Sequence, residues 1–187
     1  MKKNHKFFVS DDVPGPTKED IRCLVMCKSK VSKSDVVLEI GCGTGGLTTE
    51  FARKAKKVYS VDKNPRAISL TYANLKRMGI EHKVELIQGD ALKVMDKIPQ
   101  FDVLMVGGSS GDLSHIIKKG SYYLNEGGRI VITAILLETR VEAVRSLQKL
   151  SMSPNIIDIS ISKGKIIERG TMMYAENPVA IIYTSQE

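Results

Sequence analysis

A glycine-rich loop followed by an acidic residue is the feature of this sequence best suited to chemistry. Glycines stand at positions 41, 43, 45 and 46, directly after the apolar run 36–40. Glycine lets the backbone pass close to a ligand and direct amide donors at it. Asp62 ends the next apolar run, about 20 positions after the first glycine, where a carboxylate can accept two ribose hydroxyls. The spacing predicts a site for a nucleoside-containing cofactor, and a nicotinamide dinucleotide satisfies it so far.

Alternating apolar runs and helical patterns predict the framework that holds this loop. Strands are expected at residues 36–40, 57–62, 84–87, 101–106, 129–134, 155–162 and 178–183. Helices are expected at residues 17–30, 47–55, 65–78, 113–124 and 138–150, the first with Thr17 as its N-cap. Strands that alternate with helices form βαβ units around a parallel sheet. The last two strands lack a helix between them, which predicts an antiparallel pair at the sheet edge. The predicted fold is therefore α/β: a doubly wound, seven-stranded, mostly parallel Rossmann-like sheet with one antiparallel edge strand.

Length and composition fit one domain that covers residues 1–187. Of these residues 42% are hydrophobic, enough to bury a core without disulfides. Residues 1–16 are expected to form a mobile arm that ends in a stiff Pro-Gly-Pro turn, and residues 163–177 an extended hairpin loop. We expect neither a signal peptide nor a membrane span, and hence a cytoplasmic location.

The cysteines and the net charge restrict the partners. The scattered Cys23, Cys27 and Cys42 predict no disulfide framework, and we expect no metal site because no histidines accompany them in a ligand spacing. The formal net charge of +7 favours an anionic partner. Nucleic acid and a polycarboxylate metabolite both satisfy it, and so does charge kept only for solubility.

Three features distinguish a methyltransferase from a dehydrogenase. Glu39 precedes the first glycine by two residues in a Glu-x-Gly-x-Gly-x-Gly pattern, Gly89-Asp90-Ala91 follows the third strand, and the edge pair completes a seven-stranded order. Together they resemble the class I methyltransferases, which use S-adenosylmethionine. The resemblance implies that residues 41–45 (Gly41, Cys42, Gly43, Thr44 and Gly45) wrap the amino-acid end of that cofactor. It also implies that Asp62 holds the ribose, and that Asp90 and Ala91 border the adenine.

Further motifs resemble one family within this class, the decarboxylating cobalt-precorrin C-15 methyltransferases of the anaerobic cobalamin pathway, and the likeness covers residues 13–184. They are Val-Pro-Gly-Pro-Thr at 13–17, Arg-Cys-Leu-Val-Met-Cys at 22–27, Gly-Cys-Gly-Thr-Gly-Gly at 41–46, Val-Gly-Gly-Ser at 106–109, Thr-Ala-Ile-Leu-Leu-Glu-Thr at 133–139 and Arg-Gly-Thr-Met-Met at 169–173. The resemblance implies methylation at C-15 of an anionic cobalt-containing tetrapyrrole, with loss of carbon dioxide from the ring-C acetate. It also implies a homo-oligomer, a tetramer, and a contact between Thr17 and the cofactor.

On the substrate side the sequence offers candidates but no catalytic residue. The candidates are Gly107, Gly108, Ser109, Thr133 and Arg169. The loop after the fourth strand lacks the Asn/Asp-Pro-Pro-aromatic stretch of amino-methyltransferases, which argues against a base or glutamine as acceptor. Methyl transfer from a sulfonium to an electron-rich carbon needs in-line placement more than a strong base.

Two alternatives remain open at this point. A tRNA adenine methyltransferase shares the sheet and the glycine loop and suits the positive charge. However, with no Trp and only 5% aromatic residues the chain offers no stacking platform. A non-catalytic binding module on the same fold is the second alternative, and the intact glycine loop and Asp62 argue against it.

Overall fold

The computed structural model describes residues 7–184, and the first part of the expected mobile arm, residues 1–6, lies outside them. Within the described chain no helix is long and apolar enough to cross a membrane. The helices are α1 (Glu19–Ser29), α2 (Gly46–Lys54), α3 (Pro65–Arg77), α4 (Ala91–Val94), α5 (Leu113–Tyr123) and α6 (Leu137–Lys149). The strands are β1 (Val36–Ile40), β2 (Lys57–Asp62), β3 (Val84–Gln88), β4 (Phe101–Val106), β5 (Leu124–Ala134), β6 (Pro154–Ile159), β7 (Ser162–Ile167), β8 (Gly170–Ala175) and β9 (Val179–Thr184).

Seven of the described strands form one sheet in the order β3-β2-β1-β4-β5-β9-β6. Strands β1 to β5 pair in parallel, whereas β9 is antiparallel to both β5 and β6. The predicted fold class is confirmed, with one correction: the reversed strand β9 is not the edge strand, because β6 lies outside it. The crossover through α6 carries β6 past the place next to β5, and the chain returns through β9 to fill that gap.

The sheet separates two hydrophobic layers. Alternate strand residues such as Val37 and Leu38 face opposite sides, as the pleat of a strand requires. Phe51 of α2 packs on the first side and Ile117 of α5 on the second, and both are fully buried. Each such side chain contributes about 1.5–3 kcal/mol through burial. Both faces are therefore covered, and ligands must approach at the ends of the strands.

A hairpin of β7 and β8 forms a second, two-stranded antiparallel sheet. It occupies most of the region expected to be an extended hairpin loop. Its apolar side chains are largely in solvent: Ile166 is 85% exposed and Met173 61%. Several exposed apolar side chains on one hairpin are typical of an interaction site.

Candidate functional site

The carboxyl ends of the parallel strands converge on the glycine loop. β1 and β4 pair in parallel over their carboxyl-terminal four residues, 37–40 and 103–106, so the loops that follow Ile40 and Val106 meet. The amide of Gly107 donates to the Ile40 carbonyl at 2.8 Å. A Cβ on Gly41 would lie 2.7 Å from the Gly108 nitrogen, and Gly41 has a φ of +86°. Only glycine satisfies both conditions at position 41, because other residues rarely adopt this φ.

A first cavity, of about 220 Å³, opens between the loops after β1, β2, β3 and β4. The predicted residues Gly41, Gly43, Asp62, Asp90 and Ala91 line it, together with Gly107, Gly108 and Ser109. The structure therefore brings together residues from four separate loops. Ligand sites of open α/β sheets occur at this position, outside the carboxyl ends of the strands.

Asp62 is half-buried and fastens the floor of this cavity. One carboxylate oxygen accepts the Asn64 amide at 2.9 Å, and the other accepts the Gly43 amide at 3.1 Å. A carboxylate has about four lone-pair positions. The first oxygen has one for a ligand donor, and the second, which also accepts the weak Cys42 thiol donor at 3.7 Å, has one in place of that thiol. The arrangement suits a pair of hydroxyl groups and holds the glycine loop in place at the same time.

At the opposite wall, Asp90 is the N-cap of α4 and accepts the Leu92 amide at 2.9 Å. Its other oxygen lies 3.0 Å from the Lys63 ammonium, and this contact lowers the pKa of the Asp90 carboxyl. Lys63 also approaches Asp112 at 3.6 Å. Lys63 and Asp112 line the cavity, and sequence reasoning missed both. The sequence signal that could have identified Lys63 is its position directly after Asp62, at the end of β2.

A small second chamber of about 50 Å³ lies behind the glycine loop. Thr17, Gly41, Cys42, Gly43 and Thr44 line it among others. The Thr44 side chain is 1% exposed, and its hydroxyl oxygen has no hydrogen-bond partner within the described chain. A buried hydroxyl without a partner is costly, so this atom is placed to meet a polar ligand group.

Thr17 lines this chamber and is not the N-cap of α1. The expected capping role is wrong: the N-cap position is Lys18, and no side chain caps the helix. The turn before the helix directs Thr17 toward the loops instead, and it also lines the next cavity. Gly45 lines none of the cavities described here. It adopts a φ of +83° as the N-cap of α2, packed against Thr71.

A third cavity, of about 410 Å³, lies on the other side of residues 107–109. Thr133 lines it, and so do Lys18, Thr139, Ile135 and Leu136, the last two more than 60% exposed. Among the described residues of its wall, Lys18 is the one ionisable side chain, and Glu176 holds its ammonium at 3.0 Å. Arg169 lines none of these cavities, because it occupies the exposed turn between β7 and β8.

Two residues that line the second chamber, Glu39 and Cys42, have raised pKa values. Cys42 is buried, and burial raises the pKa of its thiol above the ordinary value, which disfavours the nucleophilic thiolate. Glu39 is buried as well, and its carboxylate accepts hydrogen bonds from Thr48 and, at 2.6 Å, from Ser60. Burial raises the pKa of Glu39 to about 7. Glu39 therefore fastens β1 to β2 and α2, below the glycine loop.

The raised pKa of Glu39 predicts a specific dependence of stability on pH. In the unfolded chain this carboxyl titrates near 4.5, and in the fold at about 7. Between these two pH values the folded state therefore binds more protons than the unfolded chain. The contribution of Glu39 to the free energy of unfolding is therefore greatest below pH 4.5 and is lost as the pH rises to about 7. The loss is about 3 kcal/mol at about 1.4 kcal/mol per pKa unit.

Glu39→Gln should remove this slope. Urea denaturation at pH 5 and pH 8 should show wild type losing about 3 kcal/mol more than the variant over this interval. Other titrating groups cancel in the comparison. Parallel stability curves for the two proteins would contradict the assignment.

The doubly wound sheet, with a polar cavity over β1 to β4 and a larger one beside it, is the architecture of the Rossmann-like methyltransferases. The profile of the precorrin methyltransferase domain matches residues 7–186, and the chain belongs to that family.

Three similar proteins accompany this match. One from Methanothermobacter thermautotrophicus, named "probable cobalt-precorrin-6B C(15)-methyltransferase (decarboxylating)", is 46% identical over 98% of this chain and 96% of its own. The crystal structure of precorrin-8W decarboxylase from Methanobacterium thermoautotrophicum is 47% identical, covers 96% of each chain and has a TM-score of 0.94. Precorrin-6y C5,15-methyltransferase of Geobacter metallireducens is 25% identical, covers 98% of this chain and 95% of its own, and has a TM-score of 0.90.

Proposed function

We propose that this chain transfers the methyl group of S-adenosylmethionine to C-15 of a cobalt-precorrin-6B-type tetrapyrrole and releases carbon dioxide from its ring-C acetate. The observation that carries the proposal is that residues 107–109 line both the first and the third cavity. A cofactor in one and a substrate in the other would meet across this loop. Relatives named for this reaction support it.

The residues of the first cavity fit the cofactor. Asp62 would accept the ribose hydroxyls, and Asp90 with Ala91 would border the adenine. The unpartnered Thr44 hydroxyl and the amides of the glycine loop would meet the polar amino-acid end, with Thr17 above them. The cofactor supplies an electrophilic methyl group. No side chain on Gly107 or Gly108 intervenes on the path toward the third cavity.

The third cavity suits a large anionic macrocycle. Ile135 and Leu136 offer exposed apolar surface for a ring face, and Lys18 would pair with a peripheral carboxylate in exchange for Glu176, which holds its ammonium at 3.0 Å. Placement of the reacting carbon near residues 107–109 would supply most of the rate enhancement. The apolar wall would favour decarboxylation because it removes water from the acetate carboxylate. The electron pair of the broken bond, between the carboxyl carbon and the acetate methylene carbon, would pass into the conjugated ring.

Mass spectrometry of the tetrapyrrole tests the proposal. Purified protein is incubated with S-adenosylmethionine and a cobalt-precorrin that carries the ring-C acetate. We expect a product that has gained one methyl group and lost one carbon dioxide. Methylation alone would refute the decarboxylating part. An unchanged tetrapyrrole would refute the substrate, and salt-dependent methylation of tRNA would then establish the alternative.

We also propose that residues 1–187 form one methyltransferase domain that works in the cytoplasm as a homotetramer. The exposed apolar side chains of the β7–β8 hairpin, Ile166 and Met173 among them, support assembly through this element. Ile166→Lys with Met173→Lys should lower the mass measured by light scattering, since charges would enter a buried interface. An unchanged mass would contradict a hairpin-mediated assembly.

A further inference from the structure

The residues before α1 form a strap across the glycine loop. The N-terminal strap, residues 7–17, is the described part of the expected arm together with Thr17. Val13 is 3% exposed and packs with Cys42 and Ala67 in a small core of its own. Pro14 lines the first cavity, and Thr17 lines the other two. The strap therefore forms part of the wall of all three cavities.

The strap packs against the glycine loop at van der Waals distance. A Cβ on Gly43 would lie 3.4 Å from the Pro14 carbonyl oxygen. A Cβ on Gly46 would lie 3.3 Å from the Pro16 ring and 3.4 Å from the Thr17 nitrogen. The fit between strap and loop therefore depends on how both segments are held.

One side chain holds them both. Asn74 of α3 is fully buried, and its carboxamide oxygen accepts the Phe8 amide at 2.7 Å. Its nitrogen donates to the Phe8 carbonyl at 3.1 Å and to the Thr44 carbonyl at 2.9 Å. The two donors of this amide group thus serve two segments far apart in sequence, with one contact on the strap and one on the loop.

We propose that Asn74 is a positioning residue that couples the N-terminal strap to the glycine loop, so that the strap closes over the bound cofactor and slows its release. Asn74 lines none of the three cavities and acts through Phe8 and Thr44. Loss of its amide group would leave the Phe8 amide, the Phe8 carbonyl and the Thr44 carbonyl without this partner and loosen the strap, which keeps contacts such as the Arg66–Asp12 pair. This inference rests on the proposed use of S-adenosylmethionine.

Release of tritiated S-adenosylmethionine, chased with excess S-adenosylhomocysteine, tests the coupling in the full-length protein. Asn74→Ala should release the cofactor about tenfold faster. Val13→Ala, which loosens the strap without changing any hydrogen bond to the loop, should release it about threefold faster. Tyr72→Ala, at a half-exposed position of the same helix, is the matched control and should release it at the wild-type rate.

Hydrogen exchange supplies a readout that a purely structural role would not change. In wild type, S-adenosylhomocysteine should slow amide exchange across residues 7–17, and in Asn74→Ala this protection should be lost. Wild-type release rates in both the Asn74 and Val13 variants, or no protection of the wild-type strap, would overturn this inference and leave the proposed function standing. Failure of wild type to bind the labelled cofactor would overturn the proposed function and this inference with it.

Discussion

Asp62→Ala should weaken the binding of S-adenosylmethionine by about 100-fold or more, as measured by calorimetry at constant pH and salt. The variant loses the carboxylate proposed to accept the ribose hydroxyls, and a hydrogen bond to a charged group contributes about 1.5–3 kcal/mol. It also loses the contact that holds the Gly43 amide at 3.1 Å. Two lost contacts of this strength correspond to at least about two orders of magnitude in the dissociation constant.

Asp96→Asn is the matched control for this experiment. Asp96 is also an aspartate with defined partners, Lys119 and Tyr123, but it is more than half exposed and lines none of the three cavities. Its variant should bind the cofactor within about twofold of wild type, since exposed pairs contribute little. An Asp62→Ala protein that folds normally and binds within about threefold of wild type would refute the ribose assignment.

Arg129→Met should lower the free energy of unfolding by about 3–5 kcal/mol in urea denaturation. Arg129 is 4% exposed and pairs with Asp35 at the amino ends of the strands, away from the cavities. It also donates to the Ser29 and Lys30 carbonyls at the end of α1. Burial raises the pKa of Asp35, but Arg129 and Ser32 together bring it below its ordinary value. Removal of the guanidinium leaves a buried carboxylate without its countercharge.

A double variant separates the destabilisation caused by an unpaired buried carboxylate from the net contribution of the ion pair to stability. Arg129→Met with Asp35→Asn should recover part of the lost stability, because replacing both charges of a buried pair is tolerated better than replacing one. Lys57→Gln, which breaks the exposed pair with Glu85, should cost less than about 1 kcal/mol. Equal losses of unfolding free energy in the Arg129 and Lys57 variants would show that the buried pair contributes no more to stability than the exposed one.

The local features of the fold were readable because buried parallel strands appear as apolar runs that end in glycine or aspartate. The predicted bounds of β1, β2 and β4 agree with the structure for this reason. The glycine loop was readable for a related reason, since positive φ and close loop packing at Gly41 and Gly45 restrict the residue type. The strand pattern and the positive φ values depend on the local chain, which a sequence records directly, whereas the close packing against Gly108 and Thr71 does not.

Long-range contacts carried no such signal. The position of β9 inside β6 depends on a crossover through α6, and the same apolar pattern would suit either place in the sheet. Thr17 carried the marks of an N-cap, yet the turn before α1 directs it to the cavities. Arg169 was predicted on the substrate side, yet the hairpin keeps it in solvent, outside the cavities described here.

The sequence by itself determined the sheet class, the glycine loop and the family, because these depend on residue types that steric and burial constraints allow at few positions. Tertiary structure alone decided which ordinary residues complete the site. Lys63, in the loop after β2, contacts Asp90, in the loop after β3. Asn74 bonds to Phe8 of the strap, 66 positions away in sequence, and to Thr44 of the glycine loop, 30 positions away. An asparagine on a helix or a lysine after a strand is unremarkable in sequence. Only the packing of the crossovers brings Lys63 to the wall of the first cavity and Asn74 beneath the strap and the glycine loop.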